Sequence, residues 1–141
     1  MGQRGSGAAF RPDKFVFPGG ASDAADADVD LAGQPGETCL RRLALEADPA
    51  RVTALLAGAV REVWEETGLV LGRPGAWQPP SVDWEAFAAT GHAPTAEGFS
   101  FVFRAITPPG RPRRFDARFF LVAASAVRGD PEDFSHACDE L

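Results

Sequence analysis

The 141-residue chain has no tyrosine, only two cysteines, only two histidines and no long apolar run. Each shortage excludes something. Without a stretch approaching ~18–20 apolar residues no helix is expected to span a bilayer, and no membrane partner is expected. The N-terminus lacks a charged segment followed by an apolar one, so no secretory leader is read there. The closing Cys138-Asp139-Glu140-Leu141 looks like a retrieval tag of the K-D-E-L type, but without a leader it is read as chance. Cys39 and Cys138 lie far apart and make no metal-ligand spacing. They are read as reduced thiols of a cytoplasmic protein. Neither His92 nor His136 has a sequence neighbour that suggests catalysis. The net charge of −6 argues against a general nucleic-acid binder. It says little about a small phosphorylated ligand, which senses only the local field.

What is present fits one globular domain over residues 1–141, with 45% hydrophobic and 24% charged residues. Eleven Phe and three Trp supply much of the packing bulk. Residues 14–17 read as a short strand, stopped by Pro18-Gly19-Gly20. A short helix fits residues 38–46, after a Gly-Gln-Pro-Gly turn at 33–36. Asp48-Pro49 is a helix start, a cap followed by proline in the first turn. Val52, Leu56, Ala59, Val60 and Val63 then share one helical face, which is read as core. Gly68 can take the left-handed conformation that ends such a helix, and residues 69–71 read as the next strand. A helix is expected over 82–90, capped by Ser81, with Trp84 and Phe87 as core residues. Phe99, Phe101 and Phe103 alternate, so one face of that strand is expected to be buried. Residues 119–124 form its partner in this reading, across a Pro- and Arg-rich link.

The chemistry concentrates at residues 61–69, Arg-Glu-Val-Trp-Glu-Glu-Thr-Gly-Leu. Glu62, Glu65 and Glu66 stand at i, i+3 and i+4 and fall on one flank of a helix. Side by side they repel, and a cation would relieve the repulsion. Hard oxygen ligands of this kind suit Mg²⁺ or Mn²⁺, which are commonly held by a few carboxylates together with substrate phosphates. Taken alone, the triplet reads equally as a solvated acidic helix end. Arg111, Arg113, Arg114 and Arg118 gather positive charge near Pro-rich turns. They read either as a phosphate holder or as an exposed edge that resists strand pairing.

The string from Arg61 to Leu69 resembles the C-terminal half of the Nudix box, R-E-U-x-E-E-x-G-U with U a bulky apolar residue, at every defined position. Upstream, Phe17-Pro18-Gly19-Gly20 and Asp26 are similar to its first half, with Asp where the box has Glu. Residues 27–60 separate Asp26 from Arg61, where the box has seven residues, so the motif is split by an insertion, placed at 27–47. A split box after F-P-G-G-x-x-D-x-x-D resembles the coenzyme-A-diphosphatase-like branch of the Nudix hydrolases. The Arg113-Arg114-Phe115-Asp116 segment is a second, weaker likeness.

The resemblance implies an α/β fold, the Nudix-type α/β/α sandwich with a mixed sheet between helices, with terminal elements lacking. It implies hydrolysis of a nucleotide-containing pyrophosphate with Mg²⁺ or Mn²⁺, coenzyme A or an acyl derivative being favoured. Carried over residue by residue, Glu62, Glu65 and Glu66 are metal ligands, with the Gly20 carbonyl as a further one. Arg61 pairs with a carboxylate of the cluster, and Glu65, Glu66 and Arg61 make up the catalytic set. Glu140 is the candidate general base. Gly19 and Gly20 supply the tight turn and, with Arg113 and Arg114, contact substrate. Asp23 and Asp26 orient the Gly loop, Asp26 having the metal shell as an alternative. The 27–47 insertion is expected to lie outside the catalytic core and to shape access to it. A small nucleotide is the expected partner, and the oligomeric state is left open, a homodimer included. ADP-ribose, dinucleotides and nucleoside triphosphates are alternative substrates. A non-catalytic nucleotide-binding module is the alternative from another class.

Overall fold

The computed structural model describes residues 2–3, 15–130 and 132–133. Glu140, Cys138 and His136, and with them the general-base candidate, lie outside the described residues. In chain order the elements are β1 (Gly2–Gln3), β2 (Phe15–Val16), α1 (Glu37–Glu46), α2 (Val52–Thr67), β3 (Gly72–Pro74), α3 (Glu85–Ala88), β4 (His92–Pro94), β5 (Ser100–Ile106) and β6 (Asp116–Leu121). Three antiparallel pairs form among them: β1 with β2, β3 with β4, and β5 with β6. A bridge between Val70 and Arg128 adds a further antiparallel contact, so every pairing among the described residues is antiparallel. No helix among them is long and apolar enough to cross a membrane.

The long helix α2 forms for the local reasons its sequence carries. The Asp48 carboxylate accepts the Ala50 N–H at 3.0 Å, and a 3₁₀ turn over Pro49–Arg51 leads into the helix. Gly68 ends it with φ +70°, and its N–H closes on the Trp64 carbonyl at 2.7 Å. Leu56, Ala57 and Val60 are fully buried on its inner face. Gly58 costs an isolated helix roughly 1 kcal/mol relative to alanine, so its presence mid-helix needs a reason. A Cβ there would lie 3.0 Å from Asp26 Oδ2 and 3.3 Å from Ser22. The bare backbone lets the turn at residues 22–28 lie directly on α2.

Residues 27–47, expected to lie outside the catalytic core, contribute to the hydrophobic core of the domain. Val29, Leu31, Cys39 and Leu43 belong to the main hydrophobic core with Leu56, Val60, Leu71, Trp84, Phe87, Phe99 and Phe101. α1 turns Cys39 and Leu43 inward against β5 and α2, because its apolar residues recur at helical spacing while its arginines face out. The backbone is stitched as well. The Ala32 N–H donates to the Pro94 carbonyl at 2.8 Å, and the Ala96 N–H to the Gly33 carbonyl at 2.9 Å. Cys39 is a free, buried thiol whose sulfur accepts the Phe101 N–H.

Three expectations need correction. Phe99 and Phe101 are buried at 4% and 5% exposure, but Phe103 is 50% exposed. A bulge between Phe101 and Phe103 shifts the register against β6, and Phe103 stacks instead on Phe119, with ring centroids 4.4 Å apart. Residues 69–71 form no strand: Val70 makes an isolated bridge, the Leu71 carbonyl accepts the Thr95 N–H, and the strand begins at Gly72. The 82–90 helix is a 3₁₀ turn over Val82–Trp84 leading into a single α turn, and the Ser81 hydroxyl bonds Asp83 rather than capping it. Trp84 and Phe87 are fully buried, in edge-to-face contact with each other and with Trp77.

Because Leu43 is fully enclosed between α1, α2 and β5, Leu43→Ala is expected to lower the unfolding free energy by about 2–5 kcal/mol. Urea denaturation reads this directly. A loss within experimental error of zero would show that residues 27–47 add little to the core.

Candidate active site

The site is built around Arg61, on the third turn of α2 and only 4% exposed. A guanidinium has five N–H donors in a fixed plane, and all of them are used. Nε donates to Asp26 Oδ1 at 3.1 Å, and Nη2 to Asp26 Oδ2 at 3.1 Å and to the Ala21 carbonyl at 2.9 Å. Nη1 donates to Glu62 Oε1 at 3.0 Å and to Glu65 Oε2 at 2.9 Å. Asp23 adds an ion pair at 3.3 Å. Burial pulls the guanidinium towards neutrality, but the hydrogen bond and charge of Asp26, with the charges of Glu65 and Glu62, more than offset it and hold Arg61 above its ordinary range.

Asp26 is fully buried, and its carboxylate accepts four donors. Besides the two from Arg61, the Trp84 indole N–H reaches Oδ1 at 3.0 Å and the Asp23 N–H reaches Oδ2 at 2.8 Å. The structure therefore places Asp26 as a holder of Arg61 and of the Gly loop. Both of its oxygens are taken up by these donors.

The Gly turn closes over the helix. The Gly19 N–H donates to Glu66 Oε2 at 2.9 Å, a contact between residues far apart in sequence. A Cβ on Gly20 would fall 2.4 Å from Glu62 Oε2, so only glycine lets the loop backbone approach that carboxylate. Gly19, Gly20, Asp23, Asp26, Arg61, Glu62, Glu65 and Glu66 are thus brought to one place. Arg113 and Arg114 are not joined to it by any hydrogen bond or ion pair. They sit exposed in the β5–β6 turn, where Arg114 Nε donates to the Thr107 carbonyl. Arg118 turns inward to Asp116, whose carboxyl is held down at about 2 mainly by its hydrogen bond to Arg104.

Negative charge exceeds positive in this cluster. Glu62 feels it most: burial first, then Glu65 and Glu66, push its carboxyl up from 4.5 to about 7, against the opposing pull of Arg61. A cation at this point would remove the strain. Among the described residues no three His, Cys, Asp or Glu side chains converge into a ready-made cage, because Arg61 and the Gly19 N–H draw the carboxylates to themselves. The donor set nonetheless suits a hard ion. Glu62 Oε2 and Glu65 Oε1 carry no hydrogen bond among the described residues, and all the donors are oxygen.

No family model and no curated protein sequence matches the chain. A solved structure does: a NUDIX hydrolase from Alicyclobacillus acidocaldarius, 30% identical, with a TM-score of 0.63 over 85% of this chain. The fold is of the Nudix type. The likeness supports the Nudix superfamily, and the chain spans 59% of the solved chain it matches. Within a Nudix fold the helix carrying Glu62, Glu65 and Glu66 lies against the Gly turn, as the distances above describe. Two residues that hold this arrangement escaped the sequence reading. Gly58 was legible in principle, as a glycine one helical turn before Arg61. Trp84 carried no local signal, since its partner Asp26 is distant in sequence.

A lysine cannot reproduce the planar fork of Arg61. Arg61→Lys is expected to cost about 3–5 kcal/mol in denaturant unfolding, because it strips partners from a buried carboxylate. Near-native stability would show that the network is slack. For pH, a carboxyl raised in the folded state stabilises the metal-free protein at low pH and loses that contribution as pH rises from 4.5 through about 7. In chelator, the melting temperature of the unmutated protein relative to Glu62→Gln should therefore fall over that window. Parallel curves for the two proteins would remove Glu62 from this role.

Proposed function

We propose that the protein is a Nudix hydrolase that uses Mg²⁺ or Mn²⁺ to cleave a nucleotide-containing pyrophosphate, with coenzyme A or acyl-coenzyme A as favoured substrate. The observation that carries the reading is the pairing of an Arg61-organised carboxylate flank with a glycine turn that reaches it. Glu62, Glu65 and Glu66 would hold the metal, and the Gly20 carbonyl is proposed as a further ligand. A divalent ion bound there would neutralise the pyrophosphate and make a bound water more acidic. Arg61 engages one oxygen each of Glu62 and Glu65, and their second oxygens are the proposed ligand atoms. Gly19 borders open space beside that flank, Gly20 lets the loop backbone approach Glu62, and both are proposed to contact the phosphate.

The reaction is attack of water on one phosphorus, with rupture of the bridging P–O bond and release of two phosphomonoesters. The base that takes the water's proton is proposed to be Glu140. The choice of coenzyme A rests on the split box and the Phe17-Pro18-Gly19-Gly20 turn. With Arg118 engaged at Asp116, Arg113 and Arg114 are the proposed holders of the extra 3′-phosphate. A cytoplasmic site of action is part of the same proposal.

A substrate panel with metal, products read by mass, tests the proposal. Coenzyme A should yield 3′,5′-ADP and 4′-phosphopantetheine. It should be favoured over dephospho-coenzyme A by about 10- to 150-fold in kcat/KM, the value of a charge-assisted contact. Arg113→Ala with Arg114→Ala should shrink that preference, and Glu66→Gln should abolish turnover, since amides ligate Mg²⁺ poorly. Equal kcat/KM for the two substrates would remove the arginine role. Faster cleavage of ADP-ribose would overturn the substrate and keep the pyrophosphatase. Nucleotide binding with metal but no turnover of any substrate would favour the binding-module alternative.

A further inference from the structure

We propose that Trp84 is a positioning residue for the carboxylate flank, acting through Asp26 and Arg61. The inference rests on the proposed function only in calling Glu62 and Glu65 metal ligands. Trp84 comes from the 3₁₀ turn before α3, outside both halves of the motif. It is fully buried, and its indole N–H donates to Asp26 Oδ1 at 3.0 Å. The same oxygen accepts Arg61 Nε at 3.1 Å. A carboxylate oxygen with two donors cannot turn about its Cβ–Cγ bond without breaking both. Trp84 therefore fixes the plane of the Asp26 carboxylate, and that plane fixes the guanidinium. The guanidinium is rigid, so fixing Nε and Nη2 on Asp26 fixes where Nη1 meets Glu62 and Glu65. The direction of an indole buried among Trp77 and Phe87 thereby reaches the flank across two hydrogen-bonded steps.

Packing alone is the competing explanation, since the indole also fills the core. Two variants separate the two. Trp84→Phe keeps an aromatic ring and deletes the donor. Phe87→Leu disturbs the same aromatic cluster and leaves the donor in place. The readout is proton exchange in the metal-free protein by ¹⁵N NMR, at Arg61 Nε–H and at the Asp23 amide, which also bonds Asp26. The Arg61 signal is assigned by its loss in Arg61→Lys. Trp84→Phe is expected to speed exchange at both sites by about tenfold, equivalent to ~1.4 kcal/mol, while Phe87→Leu lowers the melting temperature and leaves both rates near their starting values. Mn²⁺ binding, followed by the electron-spin signal of the free ion, should weaken by about tenfold in Trp84→Phe, the low end of what loss of an outer partner costs.

Equal acceleration in the two variants, or none in Trp84→Phe, overturns the proposal. If Trp84→Phe does not fold, the unmutated protein still decides. Slow exchange at the Trp84 indole N–H and Arg61 Nε–H together supports the link, and fast exchange at either breaks it. Absence of Mn²⁺ binding in the unmutated protein would count against the metal-dependent function, and the exchange rates would still decide the role of Trp84.

Discussion

One buried ion pair holds this protein's site together. Asp26 and Arg61 are both removed from water, and two charges in that position are stable only if their remaining hydrogen-bonding capacity is filled. Here it is filled completely. Asp26 takes four donors and Arg61 uses all five of its own. The pair joins three pieces of chain that would otherwise be independent: the Gly turn, the helix α2 and the segment carrying Trp84. Because each partner is saturated, the geometry has little freedom to relax, and that rigidity passes to Glu62 and Glu65.

The carboxylate flank is the complement of that rigidity. Arg61 engages one oxygen each of Glu62 and Glu65, enough to orient them and too little to neutralise the cluster. The remaining negative charge, with burial, leaves Glu62 close to its ionisation point at neutral pH. Such a site is strained when empty of cations and relieved by one, which is the condition for a carboxylate cluster to bind an ion and hold it against water. The glycine turn contributes by absence: at Gly20 there is no Cβ to collide with Glu62, and at Gly58 none to hold the turn off the helix.

Residues 27–47, between Asp26 and α2, are folded into the hydrophobic core instead of being draped over it. α1 and the segment before it bury Val29, Leu31, Cys39 and Leu43 and hydrogen-bond to the loop around β4. This segment thereby has its own reasons to stay in place, and Asp26 meets Arg61 across 35 positions.

Local signals fixed much of this from sequence. The cap at Asp48, the stop at Gly68 and the apolar spacing between them determined α2, because each is a short-range preference that the rest of the fold did not oppose. The glutamate triplet on one flank followed from helical geometry alone. The split motif named Asp26, Arg61 and the Gly turn as parts of one site. Tertiary structure decided what short-range rules cannot reach. The bulge in β5 turned Phe103 out of the alternation, since register depends on the partner strand. Residues 27–47 joined the hydrophobic core, since burial depends on what an apolar face meets. Asp26 bonds Arg61, the Gly loop and Trp84, because a carboxylate's partners are set by which donors surround it. Those donors come from residues 23, 61 and 84, and only a folded chain brings them together.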